Sequence, residues 1–176
     1  RKRFWLSAFG HIDAVVKGGR VWNDVPYPLL IIPNANLSYT LQKESFALMN
    51  PMEFIADNYV SWEAIYYMNG ALFNRLPLIK RLGWREVIDF KGFYGSLRPG
   101  NIPDVTNSHN LFLFPTPTRQ TVTERTMLTS TPYMELSFGI ANIFKVLEVD
   151  YVRRLTYLNV PGISKHGVRI RVHVEF

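Results

Sequence analysis

The sequence predicts an all-β chain, an antiparallel sheet of the transmembrane β-barrel type. Three observations predict it. Apolar and polar residues alternate along about seven segments. Several of these run to about ten residues, where strands of water-soluble proteins average about five or six and bilayer-spanning strands need about 9–11. The connections between them alternate in length, as the short turns and long loops of membrane barrels do.

The segments follow in order. Near the start, Phe4, Leu6 and Ala8 oppose Arg3, Trp5 and Ser7, and a tight turn is expected at Gly10–His11. The next segment, 11–22, is blurred, and Gly18-Gly19 inside it suggests a bulge or bend. In 57–68, Val60, Trp62, Ala64, Tyr66 and Met68 oppose Asp57, Tyr59, Ser61 and Glu63. In 84–94, Trp84, Ile88, Phe90 and Tyr94 oppose Arg85, Asp89 and Lys91. In 132–140, Met134, Leu136, Phe138 and Ile140 oppose Glu135, Ser137 and Gly139. In 147–158, Leu147, Val149, Tyr151, Leu155 and Tyr157 oppose Glu148, Asp150, Arg154 and Thr156. The last segment alternates Val168, Ile170, Val172, Val174 and Phe176 with Arg169, Arg171, His173 and Glu175. Successive strand residues point to opposite faces, so each segment has one apolar and one polar side.

Residues 23–53 and 98–131 form long connections, the second rich in Pro, Thr and Asn. Within the first, Ser45–Met49 is read as one helical turn ended by Pro51. Residues 69–82 make a medium connection and 142–146 a short one. Counting back from the C-terminus places the short turns, and Phe176, on the periplasmic side.

Composition excludes several classes. The chain has 176 residues, 47% of them hydrophobic, which is enough for a packed core. No apolar run approaches the roughly 18 residues of a membrane-spanning helix. No signal peptide is visible, and the missing initial Met suggests a mature or truncated chain. There is no cysteine, hence no thiol catalysis and no disulfide. The net charge of +6 is spread, with no basic run longer than Arg1-Lys2-Arg3, so no nucleic-acid partner is expected. The four histidines lack metal-ligand spacing, and neither a nucleophile elbow nor a phosphate loop is present. Glu53 and Asp57, four apart, would make an acid/base pair only on a helix; they read instead as a loop end and a strand start. The chain is expected to be non-enzymatic, without cofactor or metal.

On a barrel, the apolar side meets lipid and the polar side lines the lumen. The lumen-facing charged residues are then Asp57, Glu63, Arg85, Asp89, Lys91, Glu135, Glu148, Asp150, Arg154, Arg169, Arg171 and Glu175. Trp62, Tyr66, Tyr67, Trp84, Tyr94, Tyr133, Tyr151 and Tyr157 are candidates for interfacial girdles, or for ordinary cross-strand aromatics. Arg153 falls on the apolar side. It must sit near the headgroups, or a bulge at Arg153-Arg154 must shift the register. A water-soluble envelope β-sandwich that binds glycans or proteins shows the same alternation and is the alternative.

Four blocks carry a resemblance: GGRVWNDVPYPLLIIPNANLSY (18–39), FALMNPMEFIADNYVS (46–61), FNRLPLIKRLGWREV (73–87) and PYMELSFGIANIFKVLEVDYVRRLTY (132–157). They resemble the C-terminal barrel of a family of Bacteroidota outer-membrane proteins, labelled a domain of unknown function and often found behind a carboxypeptidase-regulatory-like domain. That barrel is distantly similar to the BamA-like bacterial surface antigen superfamily. The resemblance implies a 16-stranded barrel in the outer membrane, of which residues 1–176 form the C-terminal half, about seven or eight strands. It implies a role in translocation or assembly of envelope components. The implied partners are outer-membrane lipid, the barrel assembly machinery and the remaining N-terminal part of the same protein. Val168, Ile170, Val172, Val174 and Phe176 match the apolar side of a C-terminal assembly signal. The VRGF/Y motif of BamA-like sixth loops is absent from 23–53, where Pro33-Asn34-Ala35-Asn36 stands instead. A BamA-type insertion mechanism is therefore not implied. The apolar Leu29–Ile32 fits a segment tucked inside the barrel. Seven strands alone would leave open edges, so the chain reads as a fragment or hides a further strand.

Overall fold

A computed structural model describes residues 1–42, 44–102, 128 and 130–172. Among these residues the chain is one antiparallel sheet with almost no helix. Its strands are β1 (Lys2–Trp5), β2 (His11–Arg20), β3 (Asn58–Tyr67), β4 (Arg85–Ser96), β5 (Tyr133–Ile143), β6 (Leu147–Arg154) and β7 (His166–Val172). Each pairs with the next in sequence, so the sheet order is the chain order. The only α-helix among the described residues is α1, the single turn Pro77–Lys80.

At one end of the sheet lie the connections 6–10, 68–84 and 144–146. At the other lie 21–57, the described residues of 97–132, and 155–165. The first turn is longer than expected. β1 stops at Trp5, and a 3-10 turn over Ser7–Phe9 leads to Gly10, whose φ is 95°. A side chain there would collide with the Tyr67 carbonyl, so only glycine fits.

The register assigns the faces. One row of partners reads Phe4, Ile12, Tyr66, Ile88, Phe138, Tyr151, Val168. On the opposite face a row reads Val15, Glu63, Lys91, Glu135, Arg154. The polar face is the buried one. Asp89, Glu135, Glu148, Asp150 and Arg154 are all buried, whereas Phe138 is 53% exposed and Val168 56%. What covers the polar face is the 21–57 connection, which folds back across it. The core lies between that segment and the sheet. Phe46, Met49, Phe54 and Ala56 pack on Phe93 and Tyr133, and Leu41, Ala47 and Leu48 pack on Val152.

Several local expectations are corrected. β2 pairs with β3 without interruption through Gly18-Gly19, so there is no bulge there. The register shift lies between Ile140 and Ile143, where Asn142, Phe144 and Lys145 take positive φ to close the turn. Ser45–Met49 is not helical. Phe46 instead forms an isolated bridge with Ala35, and Ala47 and Leu48 form a bend. Within 29–32, Leu30 is buried but Leu29 is exposed. The register runs unbroken through Arg153, opposite Leu136 and His166, so the side chain points out beside the end of β6.

Gly92 has a packing role on the apolar face. The Trp62 indole of the neighbouring strand lies directly over it, and an added methyl would overlap the ring. Gly92→Ala is expected to push Trp62 off the sheet and destabilise by about 1–3 kcal/mol, the usual effect of overpacking. A denaturation midpoint and the Trp emission maximum would both shift; unchanged values would refute this packing.

Candidate functional site

The site is the charged face of β2–β7 and the segment seated on it. Alternation with period two puts Glu63, Lys91, Glu135 and Arg154 on the same face, and the register lines them up across four strands with alternating sign. Lys91 Nζ lies 2.7 Å from Glu63 and 3.4 Å from Asp89.

These charges hold the backbone of the covering segment. Glu135 accepts hydrogen bonds from the Ala47 and Leu48 N–H groups, each at 2.8 Å, and from the Tyr133 hydroxyl at 2.6 Å. Lys91 donates to the Ser45 carbonyl at 3.1 Å, and Arg169 donates to the Ala47 carbonyl at 2.8 Å. Backbone groups of an irregular segment in a buried setting must find such partners or lose the free energy of their hydration. Here the sheet's ionised side chains supply them, and hydrogen bonds to charged groups are the stronger kind.

A second anchor is the pair Arg154–Glu53, at 2.5 and 3.1 Å, with both side chains fully buried. Arg154 also donates to the Thr156 carbonyl and lies over the Tyr133 ring at 4.7 Å. Glu53 in turn accepts the Asn50 N–H. A third group surrounds Arg171, which reaches Glu148 at 3.1 Å, Asp89 at 3.3 Å and Asp150 at 3.6 Å.

At the end of the long connections a clamp closes around Asp57. Its Oδ2 accepts from the Arg98 backbone and guanidinium at 3.0 and 2.9 Å, and from Asn101 Nδ2 at 2.9 Å. Arg98 also donates to the carbonyls of Val21, Trp22 and Asn23. Both ends of the covering segment are thereby tied to the start of the next connection. Burial pushes the Asp57 carboxyl up, but donation by Asn101 and Arg98 outweighs it and holds the group below its ordinary value.

The sequence-assigned charged residues Asp57, Glu63, Arg85, Asp89, Glu148, Asp150, Arg154, Arg169 and Arg171 thus share the covered side of the sheet. Arg85 is the one at the rim, donating to the Asn69 carbonyl at 2.6 Å. Glu53 and Asp57 do not form a pair; one binds Arg154 and the other Arg98. Of the girdle candidates, Tyr133 faces the charged side and is fully buried there. Tyr67 shares that side through its register with Val87, and Tyr157 packs inward on Phe54. Trp62, Tyr66, Tyr94 and Tyr151 lie on the apolar side. Val168, Ile170 and Val172 are exposed on that side, while Val174, Phe176 and Glu175 lie outside the described residues. Asn36, which opens the Asn-x-Ser triplet Asn36-Leu37-Ser38, is buried, with its amide donating to the Ser38 carbonyl.

No family model, curated protein or solved structure matches the chain. The reading of the site therefore rests on its geometry. Sequence reasoning did not reach the roles of Glu53, Arg98 and Asn101. Nothing local marks them, because each works through a partner at least 41 residues away.

Two outcomes test the site. Glu135→Gln leaves a single acceptor and turns an NH₂ group toward a backbone N–H. Hydrogen exchange at Ala47 and Leu48 is expected to accelerate roughly tenfold to a hundredfold, for charged hydrogen bonds of about 1.5–3 kcal/mol. Unaltered exchange would show that Glu135 does not hold the segment. For Asp57, the depressed carboxyl contributes stability above the unfolded value of about 3.9 and loses it as pH falls through the lower folded value. Protection of the Arg98 N–H, corrected for intrinsic exchange, should therefore be insensitive to this group from pH 5 to 8 and fall only below about pH 4. Asp57→Asn should remove the acid step.

Proposed function

We propose that this chain is a non-enzymatic part of an outer-membrane β-barrel whose interior is filled by the 21–57 segment, and that the protein acts in translocation or assembly of envelope components. The observation that carries the reading is the distribution of charge on the exposed face. Among the described residues, charged side chains stand on it only at strand ends: Lys2, Arg20, Glu86 and Arg153. Between them, residues such as Val60, Phe90, Leu136, Phe138, Val149 and Ile170 form a band free of charge. A ten-residue strand spans about 33 Å, and a tilt of about 40° reduces its height to about 25 Å, the height of a barrel's lipid-facing band. Arg153 beside a strand end fits the same geometry, since a lipid-facing Arg costs about 0–1 kcal/mol near the interface and about 2–4 at the midplane.

The buried interior supports the plugged arrangement. Its charges engage one another and the backbone of the covering segment, as befits a lumen filled by a loop. A cavity of 240 Å³ remains beside that loop, walled by Lys17, Glu44, Glu63 and Lys91. A segment held by hydrogen bonds to ionised groups can exchange those bonds for water, which suits a plug displaced during transport. The exposed β1 edge supports further strands from the N-terminal part of the same protein, within a 16-stranded barrel. On β7, Thr40 takes one rung of the outer edge through Leu41 and Tyr39. Val168, Ile170 and Val172 would belong to the terminal strand read by the assembly machinery. The sandwich alternative requires a second sheet over the apolar face, and the covering segment lies on the other face.

The test uses the full-length protein, extracted from membranes in mild detergent and run on a denaturing gel with and without boiling. Faster migration of the unboiled sample from an outer-membrane fraction is expected. No shift, with the protein in a soluble fraction, would overturn the reading. Phe138→Arg, in mid-strand, should abolish the fast band or cost about 2–4 kcal/mol, and Met134→Arg, near a strand end, about 0–1. A sandwich would lose its core at both positions.

A further inference from the structure

The two ends of the sheet differ in charge. Connections 6–10, 68–84 and 144–146 contain Arg75, Lys80, Arg81 and Lys145 and no Asp or Glu. At the other end, 21–57 alone holds Asp24, Glu44, Glu53 and Asp57.

The carboxylate-free connections are also strongly apolar. Leu72, Leu76, Leu78 and Leu82 are all exposed, Leu78 to 82%. Phe144 of the neighbouring turn is exposed to 84%. A single exposed leucine needs no explanation, but four within one connection, interleaved with three exposed cations, do. Apolar side chains beside Lys and Arg are the composition of elements that lie in a membrane interface.

The geometry sets where this connection lies. Glu86 alternates with Ile88 and Phe90, so it belongs to the apolar face, opposite Ile140. It is nonetheless buried, because its Oε1 accepts the N–H groups of Leu72, at 3.0 Å, and of Phe73. That contact draws the connection onto the rim of the apolar side. Asn142 Nδ2 fixes its far end by donating to the Gly83 carbonyl at 2.6 Å.

We propose that this rim docks on the anionic phospholipid headgroups of the adjoining bilayer leaflet. Leu72, Leu76, Leu78 and Leu82 enter the acyl boundary, and Arg75, Lys80 and Arg81 meet the phosphates. The proposal rests on the barrel reading, which places this rim at a leaflet surface. The absence of any carboxylate in the three connections is the complement that such a surface requires.

The test reconstitutes the full-length protein in phosphatidylcholine vesicles carrying a trace of spin-labelled phosphatidylglycerol or spin-labelled phosphatidylcholine. The motionally restricted fraction of each label measures its association with the protein. Phosphatidylglycerol is expected to be preferred about threefold or more at low salt, and the preference should fall as salt rises. It should drop toward equality in the triple variant Arg75→Gln, Lys80→Gln, Arg81→Gln, whose unboiled gel mobility confirms the same folded barrel. Equal association in the parent protein, or a preference that survives the triple variant, would overturn the proposal and leave the barrel reading standing. Failure of the parent to enter vesicles at all would overturn both. Should the triple variant misfold, Arg75→Gln alone must lower the preference by a measurable fraction.

Discussion

The structure depends on one arrangement: the Glu135 carboxylate receiving the N–H groups of Ala47 and Leu48. An irregular chain segment cannot satisfy its own backbone. Laid on an apolar sheet face it would lose several hydrogen bonds to water and gain few in return. Laid on a face of alternating charge, it finds an acceptor in Glu135 and donors in Lys91 and Arg169. The same contacts neutralise the sheet. Glu135, Lys91 and Arg154 could not be buried as isolated ions, and the covering segment supplies Glu53, Ser45 and its own amides as partners. Sheet and segment therefore need each other. Breaking the Arg154–Glu53 pair from either side would leave a buried charge uncompensated, at a cost of about 3–5 kcal/mol.

Much of the sheet was legible because its signal is local. Period-two alternation around Glu135, Asp89 and Arg171 identifies a strand and both of its faces without knowledge of the neighbours. The unequal connections gave the two ends. The errors fall where a distant contact decides. Ser45–Met49 has residues compatible with a helical turn, but Glu135, 87 or 88 residues away, claims its amides first. Gly18-Gly19 reads as a bulge, yet Gly19 is needed so that the Tyr59 ring can lie across it in an unbroken ladder. Tyr133 reads as a girdle residue by type alone. Its parity with Glu135 places it inside, which alternation could have shown had it been applied to that residue. The roles of Glu53, Arg98 and Asn101 were not readable at all, since no pattern pairs a loop acid with an arginine 101 residues away.

Alternation by itself does not distinguish a sandwich from a barrel, since both bury one face and expose the other. The discriminating feature is which face is covered and how charge is placed along the exposed one. In a sandwich the apolar faces meet and the charged faces see water. Here the charged face is enclosed and the apolar face is open. Glu86 sharpens the point, because it is the one carboxylate of β4 on the apolar side. It lies at the second position of the strand and is capped by backbone N–H groups. The chain folds residues 72 and 73 over it, and their N–H groups donate to its Oε1. Charged side chains on this face are thus confined to strand ends, where they are solvated or capped.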